Sequence, residues 1–311
     1  MTSYDTANQV KSSFDTVYRA PTPHAYFAEM HRLEYAIGER ARRYFKAAAT
    51  LLRRQLGARG TVRMLDLGCS YGVGSALVKY GFSFGELAEF FEREARTDRK
   101  ACIEETRKWI ARNGGAPDPI ACVGADVSEP AVKFAARVGL IEACIVHDLE
   151  ADPRLSEEER ALVAGCNLLI STGTIGYVGE RTLSALLPCL GSGRADAHGP
   201  YAAVTILRMF APDAVAASFE RFGYRFAPVP GVRLRQRRFH DAREQRETLR
   251  LLRQRGVDPS GWEDTGHLYA DLFVAARPRD FAALMDAMLD AREMAAGRTA
   301  RVQNSSGVAP S

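Results

Sequence analysis

The densest chemistry in this chain lies in one stretch, Val62-Arg-Met-Leu-Asp-Leu-Gly-Cys-Ser-Tyr-Gly-Val-Gly74. An apolar run ends in Asp66, turns through Gly68, Gly72 and Gly74, and enters a helical pattern at Ser75. Glycines let a backbone turn tightly and approach a ligand closely, and a helix N-terminus offers unpaired N–H groups. A strand–glycine–helix turn of this kind suits a nucleotide-like ligand. The same residues satisfy the G-x-S-x-G elbow of serine hydrolases, which would make Ser70 a nucleophile with His240 or His267 as its base. Against that reading, only one apparent strand precedes Ser70, and no HGGG-type oxyanion loop lies upstream.

Three further apolar runs end in polar residues. Asp126 closes Ile120–Val127, where an acid can accept both hydroxyls of a ribose. Ser128 is expected to cap the helix that follows, with Pro130 in its first turn. Ile145-Val-His-Asp-Leu-Glu150 sets His147 and Asp148 after the next run, although a lone histidine at a strand end is more often structural. The run Leu168–Ser171 leads through Thr172 and Thr174 to Tyr177, a glycine- and hydroxyl-rich loop. Open α/β sheets bind ligands at the carboxyl ends of their strands, so this loop is expected to border a reacting group. The Tyr177 ring face can stabilise a cation and its hydroxyl can position an acceptor, while the same residue could serve only as packing.

Taken together, these segments resemble the class I S-adenosylmethionine-dependent methyltransferases of small-molecule type. D-L-G-C-S-Y-G, beginning at Asp66, is similar to that family's first motif, roughly D/E-x-G-x-G-x-G, with Ser70 in place of the middle glycine. The segment from Gly124 through Asp126 and Ser128 is similar to G-x-D-x-S-x-x-A, and the resemblance covers about residues 60–210. It implies an α/β fold, a doubly wound, mostly parallel, seven-stranded Rossmann-like sheet with an N-terminal helical cap. It implies S-adenosylmethionine as cosubstrate, with no metal. Asp66 would orient the amino-acid end, within the turn Gly68, Cys69, Ser70, Tyr71 and Gly72. Asp126 and Val127 would hold the ribose, Asp148 the adenine amino group and the Leu149 N–H the ring, with Ser171 and Thr172 beside the sulfonium. His147 and Tyr177 are the candidate catalytic side chains.

The N/D-P-P-Y signature of base and glutamine methylation is missing, as is the D-x-x-K…H arrangement of metal-dependent catechol chemistry. A small-molecule acceptor, of a kind met in secondary metabolism, is therefore expected. Some relatives of this fold displace 5′-methylthioadenosine instead, closing the aminoalkyl chain to azetidine-2-carboxylate or transferring an aminocarboxypropyl group. The motifs do not say which carbon is attacked.

These residues need elements to position them. Apolar residues at three- and four-residue steps predict helix over 24–57, after a turn at Pro21 and Pro23. From residue 61, short runs at Val62–Leu67, Ile120–Val127, Ala143–Val146, Leu168–Ser171 and Tyr201–Leu207 alternate with helical patterns at 129–138, 156–164 and 181–190. That alternation argues for parallel strands with crossover helices. Val232–Phe239 and His267–Ala275 alternate in polarity around an arginine-rich helix, 241–255, and predict a terminal antiparallel pair. The run Arg233–Arg238 then has one solvated face. The organisation expected is an arm and helical cap over 1–58, a ligand-binding domain over 59–278 and a helix with a disordered tail over 279–311. The long spacing from Gly72 to Asp126 admits an amphipathic insertion, 84–115, read with the N-terminal helices as a cap over the ligand.

Composition narrows the class. The 311 residues are 46% hydrophobic and 26% charged, enough for a large core without disulfide or metal staples. No apolar run approaches the ~20 residues that span a bilayer, and the polar start has no apolar leader, so a cytoplasmic location is expected. The net charge is +4, and 36 of the 42 basic residues are arginine. They are spread among 38 acids rather than gathered in a stripe, which argues against a nucleic-acid partner. The six cysteines show neither C-x-x-C spacing nor neighbouring histidines, so they read as small hydrophobes. A homodimer is compatible with these features.

Overall fold

The computed structural model describes residues 15–57, 60–94, 98–115, 117–193 and 198–305, with side chains between 17 and 295. The runs predicted as strands assemble into one sheet: β1 (Val62–Leu67), β2 (Ile120–Asp126), β3 (Ala143–Val146), β4 (Leu168–Ile175), β5 (Tyr201–Leu207), β6 (Arg225–Arg238) and β7 (His267–Ala276). Its order is β3-β2-β1-β4-β5-β7-β6, and β7 alone runs against the others. β5 is buried at every residue and β1 at all but one, as expected of strands covered on both faces. The doubly wound, mostly parallel sheet of seven strands is thus the one the sequence pattern implied.

Helices flank the sheet and precede it: α1 (Asp15–Tyr18), α2 (His24–Arg32), α3 (Ile37–Leu56), α4 (Val73–Lys79), α5 (Phe84–Arg93), α6 (Arg99–Asn113), α7 (Glu129–Arg137), α8 (Glu157–Ala164), α9 (Glu180–Leu186), α10 (Asp213–Arg221), α11 (Ala242–Gln254) and α12 (Pro278–Ser305). Several starts carry their own signal. Ser83 with Glu86 and Ser156 with Glu159 form reciprocal capping boxes on α5 and α8, and Asp98 and Asp241 cap α6 and α11.

The structure departs from the sequence pattern in four places, and in two of them the chain shows the physical cause. The helix predicted over 24–57 is broken at 33–36, where Glu34 takes a positive φ of 53°. There the Ala36 N–H donates to Gln236 O (2.7 Å) and the Arg238 N–H to Leu33 O (2.7 Å), so pairing with the end of β6 overrides helix propensity. β6 begins at Arg225 rather than Val232, because a bulge between Pro228 and Arg233 accommodates prolines that an edge strand tolerates. α10 was not anticipated at all. α12 runs to Ser305, so the tail expected to be disordered is helical as far as that residue. Residues 306–311, like 1–14 of the N-terminal arm, lie outside the described residues.

The interior forms two apolar clusters. The larger lies along the sheet with α3 and α12. The smaller is aromatic and gathers α2, α4 to α7 and their connections around Tyr26, Phe27, Phe84, Phe91 and Phe134. Phe27 stacks on Phe91 at 4.7 Å between centroids, fixing α2 against α5. All six cysteines are free thiols and five are buried.

Candidate functional site

The carboxyl ends of β1 to β4 open into one cavity of about 630 Å³, within the range of small-molecule sites. Asp66, Gly68, Cys69 and Ser70 line it from the first turn, Asp126 and Val127 from the second, and His147, Asp148 and Leu149 from the third. Thr172 and Tyr177 line it from the fourth. Three predicted residues do not. The Tyr71 ring turns into the aromatic cluster, Gly72 sits at the N-cap of α4 with φ 81°, and the Ser171 hydroxyl donates to Leu67 O at 2.8 Å inside the sheet. These three shape the wall rather than touch the cavity.

Asp66 is 3% exposed and its Oδ2 has no hydrogen-bond partner. Burial foremost, and then the Asp126 charge, pushes its carboxyl up to about 7, with partial relief from the Ser75 backbone N–H. Gly74 permits this placement, since a Cβ there would lie 2.3 Å from Oδ2. Asp126 is built differently. Its Oδ2 accepts from the Ser70 N–H and its Oδ1 from the Ser128 N–H, each at 2.9 Å, which locks the carboxylate at the strand end. Ser70 takes φ 48°, so the residue that departs from the glycine pattern adopts the left-handed backbone a glycine would take. Asp148 closes a tight turn by accepting from the Glu150 and Ala151 N–H groups, each at 3.1 Å.

The hydrolase alternative fails on geometry. Ser70 Oγ is buried without a hydrogen-bond partner, and neither His240 nor His267 lines the cavity. Those histidines sit instead by Asp241 and Glu34. His147 does line the cavity, with Nδ1 3.1 Å from both carboxylate oxygens of Glu159. Burial works against the Glu159 charge, but the Ser156 N–H and His147 more than offset it and hold the carboxyl below its ordinary range. Because β2 and β1 separate β3 from β4, His147 and Tyr177 lie towards opposite ends of the row of strands.

The roof and far wall come from residues that the motifs did not mark. Tyr18 and Arg19 arrive from the N-terminal segment, Tyr26 from α2, Tyr35 from the 33–36 turn, and Gln236 and Arg237 from the end of β6. The segment is tied down by Ser128 Oγ donating to Tyr18 O (2.5 Å) and Tyr71 Oη donating to Ala20 O (2.7 Å). Ser128 therefore does not cap α7 with its side chain, contrary to expectation. Among the described residues of the insertion, 84–115, none lines the cavity; they pack behind α2 and buttress the roof. Within Arg233–Arg238, a second bulge between Arg235 and Arg238 turns both Gln236 and Arg237 inward, correcting the expectation of a solvated face. Arg237 is paired with Glu244 through two hydrogen bonds, 2.9 and 2.7 Å. Among the described residues no cluster of His, Cys, Asp and Glu is placed to hold a metal, and no helix is long and apolar enough to cross a membrane.

No protein-family model matches the chain, and no curated protein does. Among solved structures it is similar to the plantazolicin methyltransferase BpumL in complex with a monoazolic desmethylPZN analog and SAH, with TM-score 0.40, 11% identity, and 86% of this chain and 99% of that one covered. It is similar to magnesium protoporphyrin IX methyltransferase (ChlM) from Synechocystis with bound SAM, with TM-score 0.36, 13% identity and coverage of 78% and 80%. It is similar to the [4+2]-cyclase SpnF, with TM-score 0.34, 14% identity and coverage of 75% and 80%. Likenesses this distant say nothing of what this chain binds; its own residues must.

Proposed function

We propose that the chain is an S-adenosylmethionine-dependent transferase that methylates a small molecule. One observation carries the reading. The sheet order β3-β2-β1-β4 lays Asp148, Asp126, Asp66 and Thr172 in a row along one cavity. The three carboxylates match the order of adenine, ribose and amino-acid end along S-adenosylmethionine, and Thr172, on the strand next to Asp66, flanks the half of the ligand that carries the sulfonium. Three carboxylates in one cavity also favour a cationic ligand, and the unpartnered Asp66 Oδ2 is an acceptor awaiting an ammonium. Val127, 45% exposed at the rim, offers an apolar edge beside the nucleoside.

When bound, the ligand supplies an electrophilic carbon already activated by the neighbouring sulfonium. The protein then has to align an acceptor and exclude water, which the tethered roof of Tyr18 and Tyr26 does. Tyr177 stands at the β4 end, where the transferred group would lie, and burial foremost holds its phenol neutral above the usual range. Its role is to position the acceptor and to face the cation with its ring. His147, three strands away and paired with Glu159, orients the nucleoside end instead.

The test has two steps. Calorimetric titration should show saturable binding of S-adenosylhomocysteine; no binding of it or of S-adenosylmethionine sinks the reading. Incubation with S-adenosylmethionine alone, analysed by mass spectrometry, should then yield no 5′-methylthioadenosine above the rate without enzyme. Its appearance together with a cyclic amino acid would replace methyl transfer by intramolecular closure.

A further inference from the structure

The end of the cavity farthest from Asp148 is made by features that the ligand row does not use. Gln236 is 8% exposed, lines the cavity, and has its Oε1 buried without a hydrogen-bond partner. An unpaired buried acceptor is costly in the free protein, so its retention calls for a donor from elsewhere. The side chain is placed deliberately. The β6 bulge aims it inward, the 33–36 turn holds its backbone through Ala36, and Gly173, with φ +69°, makes room for it. A Cβ on Gly173 would lie 2.6 Å from Gln236 Nε2, and Gly173 sits where the β4–β5 register is itself irregular. Two strand irregularities thus converge on one amide.

Around that amide the wall is aromatic and electrically balanced. Tyr18, Tyr35 and Tyr177 present rings, and Tyr35 shares a side-chain hydrogen bond with Thr172 of β4. The Arg237 charge is matched by Glu244, so an anion gains little here. A second cation beside a sulfonium would be repelled.

We infer that this end is the acceptor subsite, and that it takes an uncharged, flat-ringed molecule whose N–H or O–H group is received by Gln236 Oε1. The inference rests on the reading above only for its word "acceptor"; the subsite and its chemistry can be tested separately.

The test uses the full chain saturated with S-adenosylhomocysteine and four probes: phenol, toluene, acetophenone and benzoate. Binding is followed by saturation-transfer NMR and titration. Phenol should bind about tenfold more tightly than the other three. Gln236→Met should weaken phenol about tenfold while leaving S-adenosylhomocysteine binding within twofold, which also reports that the variant is folded. Gly173→Ala, which displaces the amide, should weaken phenol similarly. Unchanged phenol binding in Gln236→Met overturns the inference, as does tighter binding of acetophenone, an acceptor without a donor, or of benzoate. If S-adenosylhomocysteine does not bind the natural sequence, the proposed function fails, and the same phenol titration on the free protein still decides the subsite.

Discussion

The floor and the roof of the cavity are built by opposite means. The floor consists of three carboxylates at three adjacent strand ends, met mainly by backbone N–H groups of the strand-end turns: Asp126 by its own turn and the neighbouring one, Asp148 by its own, and Asp66 by Ser75 at the start of the following helix. The roof and far wall consist of tyrosines, an amide and a neutralised arginine. Residues some 200 positions apart hold them together, as Leu33 and Ala36 clasp Arg238 and Gln236. A local device suits a ligand of constant structure, such as a cosubstrate. A device made of distant pieces can change its lining without disturbing the floor. If that division is real, damage to the two regions should separate cleanly into lost stability, lost cosubstrate affinity and altered kinetics.

The largest expected effect lies in the wall. Arg237→Met leaves Glu244 buried without its partner, and should cost about 3–5 kcal/mol of unfolding free energy in urea denaturation. Arg237→Met combined with Glu244→Leu should recover most of that loss, because the price of a lone buried charge disappears. A double variant as unstable as the single one would show that the pair does more than neutralise itself. On the floor, Asp126→Ala should weaken S-adenosylhomocysteine by about 100-fold in calorimetry, through loss of charge-assisted hydrogen bonds to a ribose. Equal weakening by Gln236→Met would erase the distinction between floor and wall.

The same difference explains what could be read before the fold was known. Asp66, Asp126 and Asp148 lie at or just beyond the carboxyl ends of their strands, so the motifs that carry the family resemblance were enough to place them on the cavity. Tyr71 and Ser171 stand one residue from lining positions and face away, because neighbouring residues in a turn or strand point to opposite sides. Ser128 carries the sequence of a helix cap, yet its hydroxyl is drawn to Tyr18 O, a partner 110 residues away. Gln236 and Arg237 were invisible for a different reason. An alternating strand pattern predicts one buried face, and only the bulge, whose signal is absent from the residue types, puts both inside. The turn at 33–36 contains neither glycine nor proline, so nothing in its composition opposed a continuous helix.

A third prediction concerns pH and belongs to the floor alone. The Asp66 carboxyl is raised from its ordinary 3.8 to about 7 in the free protein, by burial first and Asp126 second. Between those values the folded chain keeps a proton that the unfolded chain has released, so this group makes stability fall as pH rises through that window. A cationic ligand pairs with the ionised form. Affinity for S-adenosylmethionine should therefore rise with pH, by at most tenfold per unit, and level off above about 7. Asp66→Asn should flatten both slopes. A slope that survives in Asp66→Asn would assign the titration to another group.

The smallest effect tests whether the roof encloses what the floor binds. The N-terminal segment is held by Ser128 Oγ on Tyr18 O and Tyr71 Oη on Ala20 O. Each is a neutral hydrogen bond worth about 1 kcal/mol, so removing either one should raise the frequency of opening about fivefold. Neither side chain is needed by the floor: Ser128 supports Asp126 through its backbone N–H, which Ser128→Ala retains. Ser128→Ala and Tyr71→Phe should thus speed S-adenosylhomocysteine dissociation about fivefold each in stopped-flow, with association little changed. Because both tethers restrain one short segment, their combined effect should fall short of the product of the two: once one tether is gone, the segment is already partly released. Dissociation unaffected by either change would mean that the segment does not lie across the exit path, and that the floor alone governs residence.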